Sequence, residues 1–400
     1  MDGVSNAANT ASADLTHASE PTRQRSLWNT LWKSRVSYLM LLPFFIPFII
    51  FGVLPMGASI YLSLTDYSGA SLTDMSFVGG ENFRELLSLE FRTVAREVDA
   101  DTGEYLFRCG RSQVTASNVA AAEADGATCV ASYVRSREVL SEGFEEYAVI
   151  LQRDDRATVV GATDPRFWKA MTNTSNYVAV TVVARVVLGL VLALALQHQS
   201  ALNMGLRTIF FLPSVTSTIA ITVVWGYLFT GKSYGLLNSL RNTFGFETIE
   251  FLADAAWTMP ILMLLTVWGG IGYNMILFLA GLQSISQDMY EAATVDGAST
   301  WDKFWYITLP LLRPTTVFIV ITSIIGSFQV FDAVYVLFAS PNGNIGGALD
   351  SVLTVVTYLY ERGFRLFDMG YASAIAWVLF VIIFIFTMIN LQVGQADEAY

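Results

Sequence analysis

Long apolar stretches separated by polar segments set the pattern of this 400-residue chain. Six of them are long enough to cross a hydrocarbon core of about 30 Å as helices. They run from Val36 to Leu64, Thr174 to Leu196, Thr208 to Thr230, Trp257 to Leu282, Pro314 to Phe338 and Gly370 to Leu391. The first carries Pro43, Pro47 and Pro55 and is expected to be kinked or broken, which neighbouring membrane helices tolerate. The predicted fold is therefore an all-α integral membrane protein with six transmembrane helices. Residues 1–25 are rich in Ala, Ser, Thr and Asn without apolar periodicity and read as a disordered tail. They hold no apolar core with a cleavage site, so no removable signal peptide is expected.

Composition agrees with that pattern. Hydrophobic residues make up 54% of the chain and charged ones 14%, with a mean hydropathy of +0.49, which excludes an ordinary water-soluble enzyme. The net charge of -11 gives no basic face for nucleic acid. Cys109 and Cys129 both lie in the long polar stretch after the first span; their separation permits a disulfide and supplies no metal cluster. With His17 and His198 the only histidines, no metal site is expected. Arg23, Arg25, Lys33 and Arg35 crowd the entrance to the first span, which places the N-terminus in the cytoplasm. An even number of spans then returns the C-terminus to the same side, and the loop 283–313 is cytoplasmic too.

That loop is unlike the others. Residues Glu291 to Pro310 read EAATVDGASTWDKFWYITLP, too charged for lipid and too well patterned for a slack linker. Glu291, Ala292 and Ala293 favour helix, Gly297 interrupts it, Ser299 and Asp302 are spaced to cap a second short helix reciprocally, and Pro310 is expected to end it. The set Glu291-Ala292-Ala293, Asp296-Gly297-Ala298, Ile307, Leu309 and Pro310 resembles the EAA loop of permease subunits in binding-protein-dependent ABC importers. The resemblance implies the six-helix permease fold of a prokaryotic cell membrane and a coupling helix that docks on an ATPase subunit. It also implies a second permease chain, two ATPase subunits and an external substrate-binding protein. ATP and Mg would then be bound by the ATPase partners, with no cofactor on this chain. Without the resemblance, the segment reads as an amphipathic cytoplasmic loop.

From Arg207 to Val393 the chain is similar to the sugar-type branch of these permeases, in particular to the maltose-type subunit, through RTIFFLPSVTS, WGGIGYNMILFLAGL, SFQVFDAVYVL and GYASAIAWVLF. The resemblance puts Thr218, Gly270, Tyr273, Ser323 and Ser327 on the sugar pocket. Tyr273 offers a ring and a hydroxyl, and the other hydroxyls both donate and accept, as a polyol requires. Ser327 and Val330 stand where the maltose-type subunit has asparagine, so the sugar itself is open, and helix packing accounts for the same residue types. A glycerol-phosphate-like polyol is the alternative solute. In the family pattern Asn82 to Leu89 joins Asp164 to Asn173, which makes 90–163 an extracytoplasmic insertion between spans one and two, flanked by 26–89 and by a permease core over 164–394, with a tail at 395–400. The maltose-type permease has a larger insertion at this place that contacts its sugar-binding protein. Cys109 and Cys129 are available to staple the insertion in an oxidising compartment.

Other chemistry is weak. Gly226 to Ser233 matches the phosphate-loop pattern GxxxxGKS, but its first glycine lies inside an apolar span with no preceding strand, so it reads as coincidence. No nucleophile elbow, HExxH or Cys-His pairing is present, and the chain reads as a transport subunit with no catalytic residues. A secondary transporter would show repeated halves and ion-coupling carboxylates within the spans, and neither is evident. Arg185 falls inside the second span, where a charge needs a partner; Asp332 is one candidate, and a structural pairing is the expectation.

Overall fold

The computed structural model describes residues 35–69, 75–109, 112–124, 128–133, 139–150, 156–339 and 345–395. The expected tails over 1–25 and beyond 395, with Arg23, Arg25 and Lys33, lie outside them. The chain divides into two compact units, 1–58 and 59–400. Helix α1 (Arg35–Phe48) of the first contains Pro43 and Pro47, a π turn follows at Ile49–Val53, and α2 (Leu54–Ser63) begins in the first unit and ends in the second. The Leu54 N–H bonds the Ile49 carbonyl five residues back, just before Pro55. This wider turn accommodates the proline ring and its missing donor, so of the kink or break expected here the span shows a local widening and stays helical over Leu39–Ser63.

In the second unit, α3 (Glu81–Leu87) leads into a β-rich region, whereas the sequence assigned no structure to 90–163. Its strands are β1 (Leu89–Ala95), β2 (Leu106–Cys109), β3 (Ser112–Thr115), β4 (Cys129–Ala131), β5 (Glu145–Ile150) and β6 (Arg156–Ala162). They form two antiparallel three-stranded sheets, ordered β1-β6-β5 and β3-β2-β4. Strands β1 and β6 pair from Leu89 opposite Ala162 to Ala95 opposite Arg156, so the chain leaves and returns on neighbouring strands. Val94, Ala157 and Val159 make a small core under Tyr133, Val139 and Leu140. Cys109 stands opposite Cys129 in the β2–β4 register, and the two are joined by a disulfide. The sheet leans on the membrane part through the Tyr147 hydroxyl, 2.5 Å from the Thr172 hydroxyl.

Besides short helical segments at Val119–Ala124 and Leu309–Leu311, the remaining helices are α4 (Pro165–Leu196), α5 (Ala201–Val215), α6 (Thr218–Phe229), α7 (Leu236–Thr243), α8 (Ala255–Gln283), α9 (Gln287–Val295), α10 (Thr300–Lys303), α11 (Arg313–Phe328), α12 (Asp332–Phe338), α13 (Val355–Tyr360) and α14 (Met369–Gln395). Helix α4 starts nine residues before the expected Thr174, because Asp164 caps it by accepting from the Phe167 N–H and Pro165 occupies the first helical position. The third expected span is also corrected. Helices α5 and α6 meet at 98°, since Pro213 removes an N–H from the ladder and Ser214 and Thr216 return their hydroxyls to the Phe211 and Leu212 carbonyls. Among the described residues five helices are long and apolar enough to cross a membrane, or six with that bent pair taken as one span.

Close helix contacts rest on small residues. A Cβ at Gly272 would lie 2.0 Å from the Phe210 carbonyl oxygen of α5, and one at Gly189 would lie 2.8 Å from Asn274 on α8. Absent side chains thus let α8 approach both α5 and α4, as dispersion-driven packing in lipid requires. The main core gathers Phe167, Tyr177, Leu262, Phe328, Tyr358 and Tyr371; a second one at the other end holds Leu196, Met275, Phe278 and Leu312.

Candidate functional site: a two-helix polar loop and the spans beside it

The loop from Ser284 to Leu312 is built by capping chemistry. Helix α9 opens with Ser286 accepting from the Asp288 N–H and closes at Asp296. Gly297 has φ +80°, its N–H bonds the Thr294 carbonyl at 3.1 Å, and the Ala298 N–H bonds the Ala293 carbonyl at 2.9 Å. This is a complete Schellman motif, in which a left-handed glycine folds the chain back to satisfy the last carbonyls. It accounts for the spacing between Ala292-Ala293 and Asp296-Gly297-Ala298. Helix α10 follows with the predicted capping box: the Asp302 N–H donates to Ser299 Oγ and the Ser299 N–H donates to Asp302 Oδ2. Those bonds hold the Asp302 carboxyl below the usual aspartate range.

Pro310 does not end the helix as expected. A π turn spans Phe304–Thr308, the Leu309 N–H reaches the Phe304 carbonyl, and the chain stays helical through Leu311. The same sequence of π turn, leucine and proline occurs at Ile49–Val53 before Leu54 and Pro55. In both places the donor lost at proline is absorbed by one widened turn rather than by a stop.

The two short helices are tied by Tyr290, whose hydroxyl lies 2.9 Å from that of Thr308, and by Lys303 Nζ donating to Thr294 Oγ1 at 2.7 Å. A cleft of about 980 Å³ separates the loop from the ends of α4 and α8, with His198, Gln283, Tyr290, Trp301 and Lys303 on its walls. Glu291 and Ala292 are exposed, Ala293 and Ala298 half-buried, and Ile307 and Leu309 half-buried beneath exposed Pro310. Val295, Trp301 and Tyr306 are 89%, 67% and 80% exposed, and Met289 and Trp305 are exposed as well.

The five positions placed by resemblance on a sugar pocket divide. Thr218 is exposed in the first turn of α6, at the bend, and Tyr273 is exposed on α8 one turn beyond half-buried Gly270. Ser323 and Ser327 are buried on α11, where Asn274 Nδ2 reaches Ser323 Oγ at 3.5 Å and Thr181 Oγ1 reaches Ser327 Oγ at 3.4 Å. Arg185 does not pair with Asp332, which is exposed at the start of α12. Its Nε and Nη2 instead donate to the Thr266 carbonyl at 3.0 and 2.6 Å. The Gly226 to Ser233 motif starts within α6 and is preceded by helix rather than strand, so it lacks the geometry of a phosphate loop.

At the opposite end from the loop lies a network the sequence did not announce. Asp164, besides capping α4, accepts from the hydroxyls of Tyr358 at 2.5 Å and Tyr371 at 2.7 Å. Arg166 bridges Asp350 and Glu361, Lys169 donates to the Leu349 carbonyl, and Asn173 donates to the carbonyls of Asp350 and Leu353. These bonds hold Leu349 and Asp350 at φ +54° and +55°, a strained pair with Leu349 projecting 81% exposed. The readable signal was Asp164-Pro165 as a helix start; the partners lie from 177 to 207 positions away.

Several apolar spans and small-residue helix packing define a multi-pass membrane protein. Residues 185–395 match the family of binding-protein-dependent transport system inner membrane components, and the chain belongs to that family. The chain is thus a transport component rather than an enzyme. It is 36% identical over 235 residues to the arabinooligosaccharides transport system permease protein AraP of Halalkalibacterium halodurans, covering 58% of this chain and 72% of that protein. Identity to the trehalose/maltose transport system permease protein MalF of Thermococcus litoralis is 34% over 229 residues, or 57% of this chain and 75% of that one. The fold matches a crystal structure of a bacterial ABC transporter involved in the import of the acidic polysaccharide alginate, with a TM-score of 0.64 at 20% identity, covering 93% of this chain and 99% of that chain.

Proposed function

We propose that this chain is the permease subunit that carries a sugar across the membrane in an ATP-driven importer, receiving the sugar from an external binding protein and its energy through the loop 283–313. The relatives named for arabinooligosaccharides and for trehalose and maltose support the sugar. The reading places a second permease chain alongside, two ATPase subunits with ATP and Mg below the loop, and both termini in the cytoplasm. The observation that carries it is the exposure of the apolar side chains of Val295, Trp301 and Tyr306 on a loop whose first two short helices are capped and which stands off the spans across a cleft.

A loop of this kind suits force transfer, because its helices keep their shape while their outer face is free to dock. Pathway residues recognise the solute where its affinity differs between outward and inward states, since only such a difference couples transport to an ATPase cycle. Tyr273, Gly270 and Thr218 are the accessible part of that set. Ser323 and Ser327 would join it when α11 separates from α4 and α8. The insertion, with its disulfide, would face the binding protein.

The test is Gly297→Pro in the reconstituted importer. A proline ring cannot adopt φ +80°, so the Schellman turn is lost while the spans are untouched. The variant should insert and co-purify with its permease partner, yet lose hydrolysis stimulated by binding protein and sugar. Wild-type stimulation and uptake in Gly297→Pro would defeat the coupling role.

A further inference from the structure

We propose that Arg185 is a substrate-binding residue and that the imported sugar is acidic, carrying a carboxylate that pairs with this guanidinium in the pathway. The proposal rests on the reading of Gly270 and Tyr273 as pathway surface. Arg185 lies eleven residues before the end of α4, roughly 16 Å along the helix axis, well inside the span. A cation there is costly and is retained where it is paired or takes part in function. Two of its N–H groups are used, both on one backbone carbonyl, that of Thr266. Among the described residues no carboxylate pairs with it.

A guanidinium has five N–H donors in a planar fork, so three remain to be offered. The direction of the fork is set by Gly270. A Cβ at that position would stand 2.8 Å from Arg185 Nε and 3.0 Å from Cζ, so the missing side chain is the seat on which the guanidinium rests. One helical turn further along the same face of α8 is Tyr273, 49% exposed. Arg185 itself is half-buried. A fixed cation next to an accessible aromatic ring matches the two halves of a uronic acid: the fork takes the carboxylate through paired N–H donors and the ring takes the apolar face of the sugar. A neutral sugar would leave the guanidinium without the charge that offsets its burial.

The experiment uses the assembled importer with its binding protein in proteoliposomes and a panel of matched neutral and uronate-containing di- and trisaccharides. In the wild type, at least one uronate-containing member should stimulate ATP hydrolysis. Arg185→Gln should weaken that stimulation about tenfold or more, the scale of lost charge-assisted bonds, with Arg185→Lys intermediate. Gly270→Ala, which crowds the guanidinium and keeps its charge, should weaken the response to uronates more than to any neutral sugar. Stimulation by neutral members alone, or equal losses for neutral and acidic sugars in Arg185→Gln, overturns the proposal and leaves the sugar importer standing. Failure of Arg185→Gln to assemble with the second permease, while Arg185→Lys assembles, assigns the counter-ion to the partner chain and also overturns it. If no saccharide stimulates the wild type, the sugar reading itself falls.

Discussion

Replacing Asp164 with alanine removes three bonds at once from one buried carboxylate. The side chain is 8% exposed and caps α4 through the Phe167 N–H at 3.0 Å while accepting the Tyr358 and Tyr371 hydroxyls. Loss of the cap costs about 1 kcal/mol. Each hydrogen bond to a charged acceptor contributes roughly 1.5–3 kcal/mol, and both hydroxyls would be left in a core where their residues are 3% and 2% exposed. Relief of the desolvation carried by a buried carboxylate offsets part of the sum, so Asp164→Ala should destabilise by about 3–4 kcal/mol. Asp164→Asn keeps an oxygen for the cap and should cost about half as much. The assay is thermal unfolding of the detergent-solubilised chain, followed by fluorescence-detected gel filtration. It is run as a cycle with the double variant Tyr358→Phe, Tyr371→Phe. In that background the hydroxyls are gone and Asp164→Ala should lose little beyond the cap, because coupled groups are not additive. An equal loss in both backgrounds, or a loss under about 1 kcal/mol in the wild type, would refute the network as the clasp joining α4 to α13 and α14.

Two further predictions are local. Cys109→Ser should destabilise the β3-β2-β4 sheet by about 3 kcal/mol, the chain-entropy value for a bridge of separation 20, and be seen as faster amide exchange there while the spans keep their protection. Ser299→Ala should fray α10 and speed exchange of its amides. Because Ser299 lowers the Asp302 carboxyl from its ordinary value, the contribution of the charged capping box is present above that value and is lost as pH falls through the lowered one. The protection of the α10 amides, taken relative to the intrinsic exchange rate at each pH, should therefore stay constant from pH 8 to about 5 and fall only on stronger acidification; a fall in protection between pH 8 and 6 would contradict the assignment.

How far the sequence could be read follows from how local each interaction is. The apolar stretches, the Ser299–Asp302 capping box and the turn at Gly297 were legible because each is settled by residues within one or two helical turns. The β-rich insertion was not, since its strands are short and half-exposed and its pairing closes over more than sixty residues, from Leu89 to Ala162. One proline was misjudged: Pro310, like Pro55, forbids a normal helical bond but permits a π turn, and the choice between a stop and a wider turn depends on what packs around it. By contrast, Pro213 together with two hydroxyls gave a sharp bend. Composition and the loop pattern alone determined the membrane class and the permease resemblance, because both are properties of residue type and spacing. Only the tertiary structure decided that Arg185 rests on Gly270 without a carboxylate, that Ser323 and Ser327 are packed while Tyr273 is open, and that Asp164 gathers two tyrosines nearly two hundred residues away. Those are facts about which helix faces meet, and helix faces meet according to packing across the whole chain rather than along it.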